Sequence, residues 1–204
     1  MKIIGITGGT GCGKTTALHV LQELGAYCID CDAVYHELLE TCPALRAEIV
    51  EAFPTCAPGG VFDRKELGKL VFANQAALQR LTEITNGYVF AKVSFLLDEA
   101  ARKGYPAAAI DAIGLLESGL TLLCHTTVAI TAPREARLAR LLAREPISPA
   151  YAQARIDAQR TDEEFSALCR HTLHNDSTQA AFEAACRQLF TELLHERSFH
   201  CERE

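Results

Sequence analysis

Apolar and polar positions along this chain change their period several times, and each change marks an element. Ile3-Ile4-Gly5-Ile6 is short and continuously apolar, as in a strand buried on both faces, and predicts a first strand over 2–6. From about 13 to 24 the apolar residues Ala17, Leu18, Val20 and Leu21 take helical spacing, and Gly25 ends the pattern. Ala26-Tyr27-Cys28-Ile29 reads as a second strand, with a helix opening near Asp32. Residues 33–104 hold no convincing buried strand; they read as amphipathic helices punctuated by Pro43, Pro54, Pro58 and Gly59-Gly60. Ala107 to Ile110 is a third strand and Thr126 to Ile130 a fourth, with Pro133 starting the next helix. A long charged helical stretch covers 133–167. His171 to His174 is the last strand, 178–195 the last helix, and the polar tail from Glu196 to Glu204 is expected to fray.

Short apolar strands separated by helices imply an α/β fold, a parallel sheet with helices on both faces. We expect a single domain over 1–204. Its core occupies about 1–32, 105–135 and 168–196, with a helical insertion at about 33–104 and a further segment at about 136–167.

Composition narrows the function classes. With 204 residues, 49% of them hydrophobic, the chain can bury a sizeable core. A net charge of −6 argues against a long nucleic-acid footprint, which needs a basic surface. No run approaches the ~18 apolar residues of a membrane span, and none resembles a signal-peptide core, so a cytoplasmic protein is expected. The nine cysteines are scattered. Cys28-Ile29-Asp30-Cys31 is a lone C-x-x-C without the second pair of a structural zinc site, so reduced thiols are the expectation.

The strongest chemical signal lies between the first strand and the first helix. Gly8-Gly9-Thr10-Gly11-Cys12-Gly13-Lys14-Thr15 fits G-x-x-x-x-G-K-[ST] in its strand–loop–helix context. Glycines let the backbone wrap a phosphate so that several N–H groups point at it, and the helix N-terminus adds positive charge. Lys14 can reach the β- and γ-phosphates, and the Thr15 hydroxyl can ligate Mg²⁺. The chain is expected to bind a nucleoside triphosphate through Gly9, Gly11, Cys12, Gly13, Lys14, Thr15 and Thr16.

Three further features bear on what is done with it. Asp30 and Asp32 follow the second strand, where residues at the carboxyl end of a parallel sheet face the ligand crevice. A carboxylate there can accept a hydroxyl proton or help hold the metal. Asp30 suits a turn or helix cap; Asp32 is the candidate for chemistry. Asp111 follows four apolar residues, the arrangement that holds Mg²⁺ through water in many P-loop enzymes, or is a strand-end turn residue. Arg134, Arg137, Arg140 and Arg144 line one face of a predicted helix, with Arg155 and Arg160 on the next. In small P-loop kinases the segment after the fourth strand is a mobile lid whose arginines close over the transferring phosphoryl group. These residues leave open a P-loop kinase acting on a nucleoside or small alcohol, and a non-catalytic ATP-binding regulator.

The run I-T-G-G-T-G-C-G-K-T-T with I-D-C-D-A-V at 29–34 resembles the opening of the dephospho-CoA kinase family, typically T-G-G-I-G-S-G-K-S-T and then I-D-A-D. The likeness continues through Arg64 and Leu67, Val71-Phe72-Ala73-Asn74, Ile110-Asp111 with Leu115-Leu116-Glu117, Arg140, Arg144, Ala158-Gln159-Arg160 and Asn175. The resemblance implies a P-loop kinase fold with an acceptor-binding insertion and an arginine-bearing lid. It also implies transfer of the ATP γ-phosphoryl group to the ribose 3′-hydroxyl of dephospho-CoA, with Mg²⁺ held by Thr15 and Asp32 and no obligate protein partner. In that reading Asp32 is the general base. Lys14, Arg140 and Arg144 serve the transferring phosphate, Asn175 sits near the adenine, and Arg64, Asn86 and Asp111 meet the acceptor. Departures mark a divergent member. Asn86-Gly87-Tyr88-Val89 replaces H-P-x-V, Ile113-Gly114 precedes Leu115-Leu116-Glu117 where a turn proline is usual, and His36 stands where an arginine is common. Asn86 can still donate a hydrogen bond but carries no charge.

Overall fold

The computed structural model describes residues 1–196. Five strands form one parallel sheet: β1 (Lys2–Thr7), β2 (Ala26–Asp30), β3 (Ala107–Asp111), β4 (Thr126–Thr131) and β5 (His171–His174). The order β2-β3-β1-β4-β5 puts β1 in the centre, pairing Ile4 with Ala109 of β3 and Ile6 with Val128 of β4. Ile4, Ile6, Ala107, Ala109, Val128 and Ile130 are fully buried, which is why these strands read as apolar runs rather than alternating ones.

The described residues form two compact units, 1–29 with 97–196, and 30–96. In the first, helix α1 (Lys14–Glu23) buries Ala17, Val20 and Leu21, and the C-terminal helix (Gln179–His195) buries Phe182, Cys186, Phe190 and Leu193 at helical spacing. These side chains and the sheet form one core. The second unit is helical, as the lack of buried strand patterns predicted: α2 (Cys31–Thr41), α3 (Pro43–Ala52), α4 (Arg64–Ala73) and α5 (Gln75–Arg102), the last running on into the first unit. Asp30 caps α2, its Oδ1 accepting from the N–H groups of Asp32 (2.9 Å) and Ala33 (3.1 Å), so the helix opens one residue before the expected place.

The stretch 133–167 is not one long helix but three: α6 (Arg134–Arg144), α7 (Pro149–Asp157) and α8 (Asp162–Leu168). Pro149 takes the first turn of α7, and Ser148 caps it. Thr161 and Glu164 form a capping box that restarts the chain as α8. Pro133 precedes α6 as its cap, and Arg160 lies in the turn between α7 and α8 rather than on a helix. Of the expected frayed tail, residues 197–204 lie outside the described residues.

Phe190 is fully buried in the core between helix and sheet. Phe190→Ala should lower unfolding stability by about 3–5 kcal/mol, a loss of contacts that urea titration followed by circular dichroism would register.

Candidate active site

The loop from Gly8 to Gly13 joins the centre of the sheet to α1, and its shape rests on glycine. Gly8, Gly11 and Gly13 adopt φ of 140°, 76° and 109°. A Cβ on Gly8 would lie 2.1 Å from the Ile130 carbonyl oxygen, and one on Gly13 would lie 2.3 Å from Asn175 Nδ2. Glycine here makes room for the protein that packs against the loop from outside, in addition to any ligand it wraps.

Side-chain donors take the loop's carbonyls one after another. Arg137 Nε donates to the Thr10 carbonyl (3.0 Å), Arg140 Nη1 to that of Gly11 (3.1 Å), and Asn175 Nδ2 to that of Cys12 (2.9 Å). A trans peptide sets its N–H antiparallel to its C=O. Holding these carbonyls outward therefore turns the amides of Gly11 and Gly13 toward the opposite, inner side, as an anion-binding loop requires. Lys14 Nζ donates to the Gly8 carbonyl at 2.9 Å, holding its ammonium group within the loop. Thr15, in the first turn of α1, is exposed, so its hydroxyl is accessible to a ligand. Cys12 is fully buried, and desolvation raises its thiol pKa, with Lys14 only partly opposing; this sulfur is packing, and only its backbone can serve a ligand.

The expected residues thus separate into groups. Lys14, Arg140 and Asn175 converge on the loop. Asn175 is buried beneath it, with its carbonyl accepting from Arg140 Nη2 (3.4 Å), so it braces the loop's outer side. Arg144 stands apart: it is exposed and pairs with Glu145, which also pairs with Arg155. Arg160 pairs with Glu117. Asp111 ends β3 beside the loop's parent strand, in register with Ile6.

The helical unit carries its own cluster. Arg64, at the start of α4, donates from Nη2 to His36 Nε2 at 3.0 Å. Arginine cannot accept, so His36 carries its proton on Nδ1 in this pairing. Both line a cavity of about 450 Å³ with Tyr35, Leu67, Val71, Leu81 and Thr85, a cationic edge on an otherwise largely apolar wall. Asn86 follows Thr85 on α5 and is half-buried. Asp32 is exposed in the first turn of α2, where Asp30 rather than Asp32 makes the cap.

Sequence reasoning missed the part played by Arg137. It is 4% exposed, although the row of arginines on α6 reads as a solvated or phosphate-facing surface. The signal was present: Arg137 falls four residues before Leu141, the fully buried residue of α6, and so shares its inward face.

Residues 2–181 match a family model described as dephospho-CoA kinase. The chain belongs to the dephospho-CoA kinase family. It is therefore a kinase, of the P-loop fold. It is 40% identical over 166 residues to the dephospho-CoA kinase of Dehalococcoides mccartyi, covering 80% of this chain and 83% of that one. Among solved structures, dephospho-CoA kinase from Campylobacter jejuni superposes with a TM-score of 0.67 at 27% identity, over 95% of this chain and 98% of that one. A shikimate kinase from Bacteroides thetaiotaomicron, at TM-score 0.51 and 16% identity, covering 95% and 98% of the two chains, shares the fold alone. Among the described residues no helix is long and apolar enough to cross a membrane.

Replacing Lys14 by Ala removes the charge held in the loop. Saturating turnover, read as ADP release, should drop at least about a hundredfold while the circular dichroism spectrum stays that of the parent.

Arg140 and Arg144 should part company. Arg140→Ala, which frees the Gly11 carbonyl, should lower turnover far more than Arg144→Ala, whose side chain pairs with the Glu145 carboxylate. Comparable losses in steady-state assays would contradict the division made here.

Proposed function

We propose that this chain transfers the γ-phosphoryl group of ATP to the ribose 3′-hydroxyl of dephospho-CoA, giving coenzyme A and ADP in the cytoplasm. What carries the reading is the loop itself: Lys14 set within it, Arg140 and Asn175 holding its carbonyls outward, in a chain whose family match runs over residues 2–181. The loop is built for a polyphosphate, and the family supplies the acceptor.

The residues fit a metal of the magnesium kind. Thr15 offers one hydroxyl and Asp32 one carboxylate, and among the described residues no cluster of three or more His, Cys, Asp or Glu can hold an ion. Magnesium is held by one or two protein oxygens together with phosphate oxygens and water rather than by an all-protein cage. Held by Thr15 and Asp32, Mg²⁺ would supply charge neutralisation to the triphosphate.

The remaining work falls to the protein's own groups. Asp32 accepts the 3′-hydroxyl proton as the new O–P bond forms and the bond to the β,γ-bridging oxygen breaks, leaving ADP. Asp30 is already spent on the cap of α2, which leaves the neighbouring carboxylate for this task. Lys14 and Arg140 balance the charge that shifts toward the β-phosphate. Arg64, Asn86 and Asp111 orient the acceptor. Arg64 can offer its guanidinium fork to an acceptor phosphate, its His36 contact being to a neutral ring that an anion readily replaces.

Asp32→Asn keeps the shape of the side chain and removes its basic oxygen. The expected outcome is parent-like ATP affinity and melting temperature, with transfer to dephospho-CoA down by about a hundredfold or more. Asp30→Asn, which preserves a good cap, should cost much less. An ADP-release assay run with dephospho-CoA, adenosine and shikimate tests the acceptor, and preference for either of the latter two would overturn the assignment.

A further inference from the structure

The apex of the phosphate loop is held by side chains that the phosphoryl-transfer chemistry above does not use. Thr10, 5% exposed, has both backbone groups engaged. Its carbonyl accepts from Arg137 Nε at 3.0 Å, and its N–H donates to Gln159 Oε1 at 2.8 Å. The same Gln159 oxygen accepts from Arg137 Nη2 at 3.1 Å. Arg137 Nη1 donates to Asp162 Oδ1 at 3.3 Å, and Asp162 Oδ2 accepts from the Ala132 N–H at 3.1 Å, just past the end of β4. A buried guanidinium is therefore neutralised, bonded along each edge, and tied both to the loop and to the sheet.

Glycine usage agrees with this arrangement. The G-x-x-x-x-G-K pattern calls for glycine at 8 and 13 but leaves position 9 open. Gly9 has no left-handed φ, yet its Cβ would stand 2.1 Å from Arg137 Nη2 and 2.6 Å from Cζ. A Cβ on Gly11 would lie 2.8 Å from the Arg137 carbonyl oxygen. Arg137 thus lies against the loop so closely that a Cβ at position 9 would displace its guanidinium from this arrangement.

We propose that Arg137, Gln159 and Asp162 form a latch that preorganises the loop for ATP, with Arg137 and Gln159 acting as positioning residues. A loop already held in its binding shape loses little freedom when the triphosphate arrives. Removing the latch makes ATP itself supply the ordering. The ground state and the transition state both need the ordered loop, so the loss falls on affinity and leaves saturated turnover nearly unchanged. The inference rests on the ATP site of the proposed function and not on its acceptor.

Gln159→Ala tests it, because that change leaves Arg137 paired with Asp162 and does not threaten folding. Binding of a fluorescent ATP analogue, measured without acceptor, should weaken about tenfold, as expected for a lost buried hydrogen-bonded pair. KM for ATP should rise with it, while kcat and KM for the acceptor stay within about twofold. Gln159→Glu keeps an oxygen for both donors and should retain affinity near that of the parent. Gly9→Ala should weaken binding in the parent and cost less in an Arg137→Ala background, where the obstruction is gone. Parent-like ATP affinity in Gln159→Ala, equal rises in both KM values, failure of Gln159→Glu to rescue, or an undiminished Gly9→Ala cost beside Arg137→Ala would each overturn the latch. Activity with a different acceptor would revise the proposed substrate and leave these binding results standing.

Discussion

The constraint on which the site depends is the approach of the loop backbone to strand β4. Gly8 lies where a single methyl group would be 2.1 Å from the Ile130 carbonyl oxygen, so no other residue lets the chain leave β1 on this path. That path in turn sets the left-handed turns at Gly11 and Gly13 and starts α1 at Lys14. A fully buried parallel sheet supplies the rigidity: Ile6 and Ile130 cannot yield without disturbing the core they share with Phe182 and Phe190. Precision at the loop is therefore inherited from the packing of the sheet.

Electrostatics complete what sterics begin. The outer carbonyls of the loop are taken by two guanidinium groups and one amide, all donors, at 2.9 to 3.1 Å. Planar peptides convert this outward pull into inward-pointing N–H groups, so cations on the outside help make an anion site on the inside. Of the two guanidinium groups, that of Arg137 is the buried one, and it carries its counter-charge, Asp162, with it. Arg134 and Arg144, exposed and paired with Asp157 and Glu145, belong to the solvated side of the same helix.

In the helical unit the divergent positions have found local partners. His36, standing where an arginine is common in the family, accepts a hydrogen bond from Arg64. An arginine at 36 would put two like charges side by side at the same cavity edge, whereas a histidine there leaves the guanidinium of Arg64 without a like charge in contact. Tyr88, in the altered Asn86-Gly87-Tyr88-Val89 segment, donates to Glu48 at 2.5 Å, and that hydrogen bond to the carboxylate pushes the hydroxyl's pKa up to about 12. That segment is tied into the helical framework through its tyrosine.

The sequence by itself determined the strands, the helical character of 33–104, the phosphate loop and the capping role of Asp30. Each is a local matter: a continuous apolar run, a helical period, a glycine spacing, a carboxylate placed to cap. It also carried the family, because motifs matching it recur in order from the loop to Asn175. The breaks at Ser148 and Thr161 were legible as cap chemistry but were overshadowed by the run of charge. Only the tertiary structure decided which arginine of α6 is buried and which faces water, because residues three and four apart share a helical face and the choice depends on what packs against it. Only it joined Thr10 to Gln159, 149 residues away, and gave Gly9 its reason. Periodicity reports the face a residue occupies, whereas its partner across a parallel sheet is set by crossovers that no local pattern encodes.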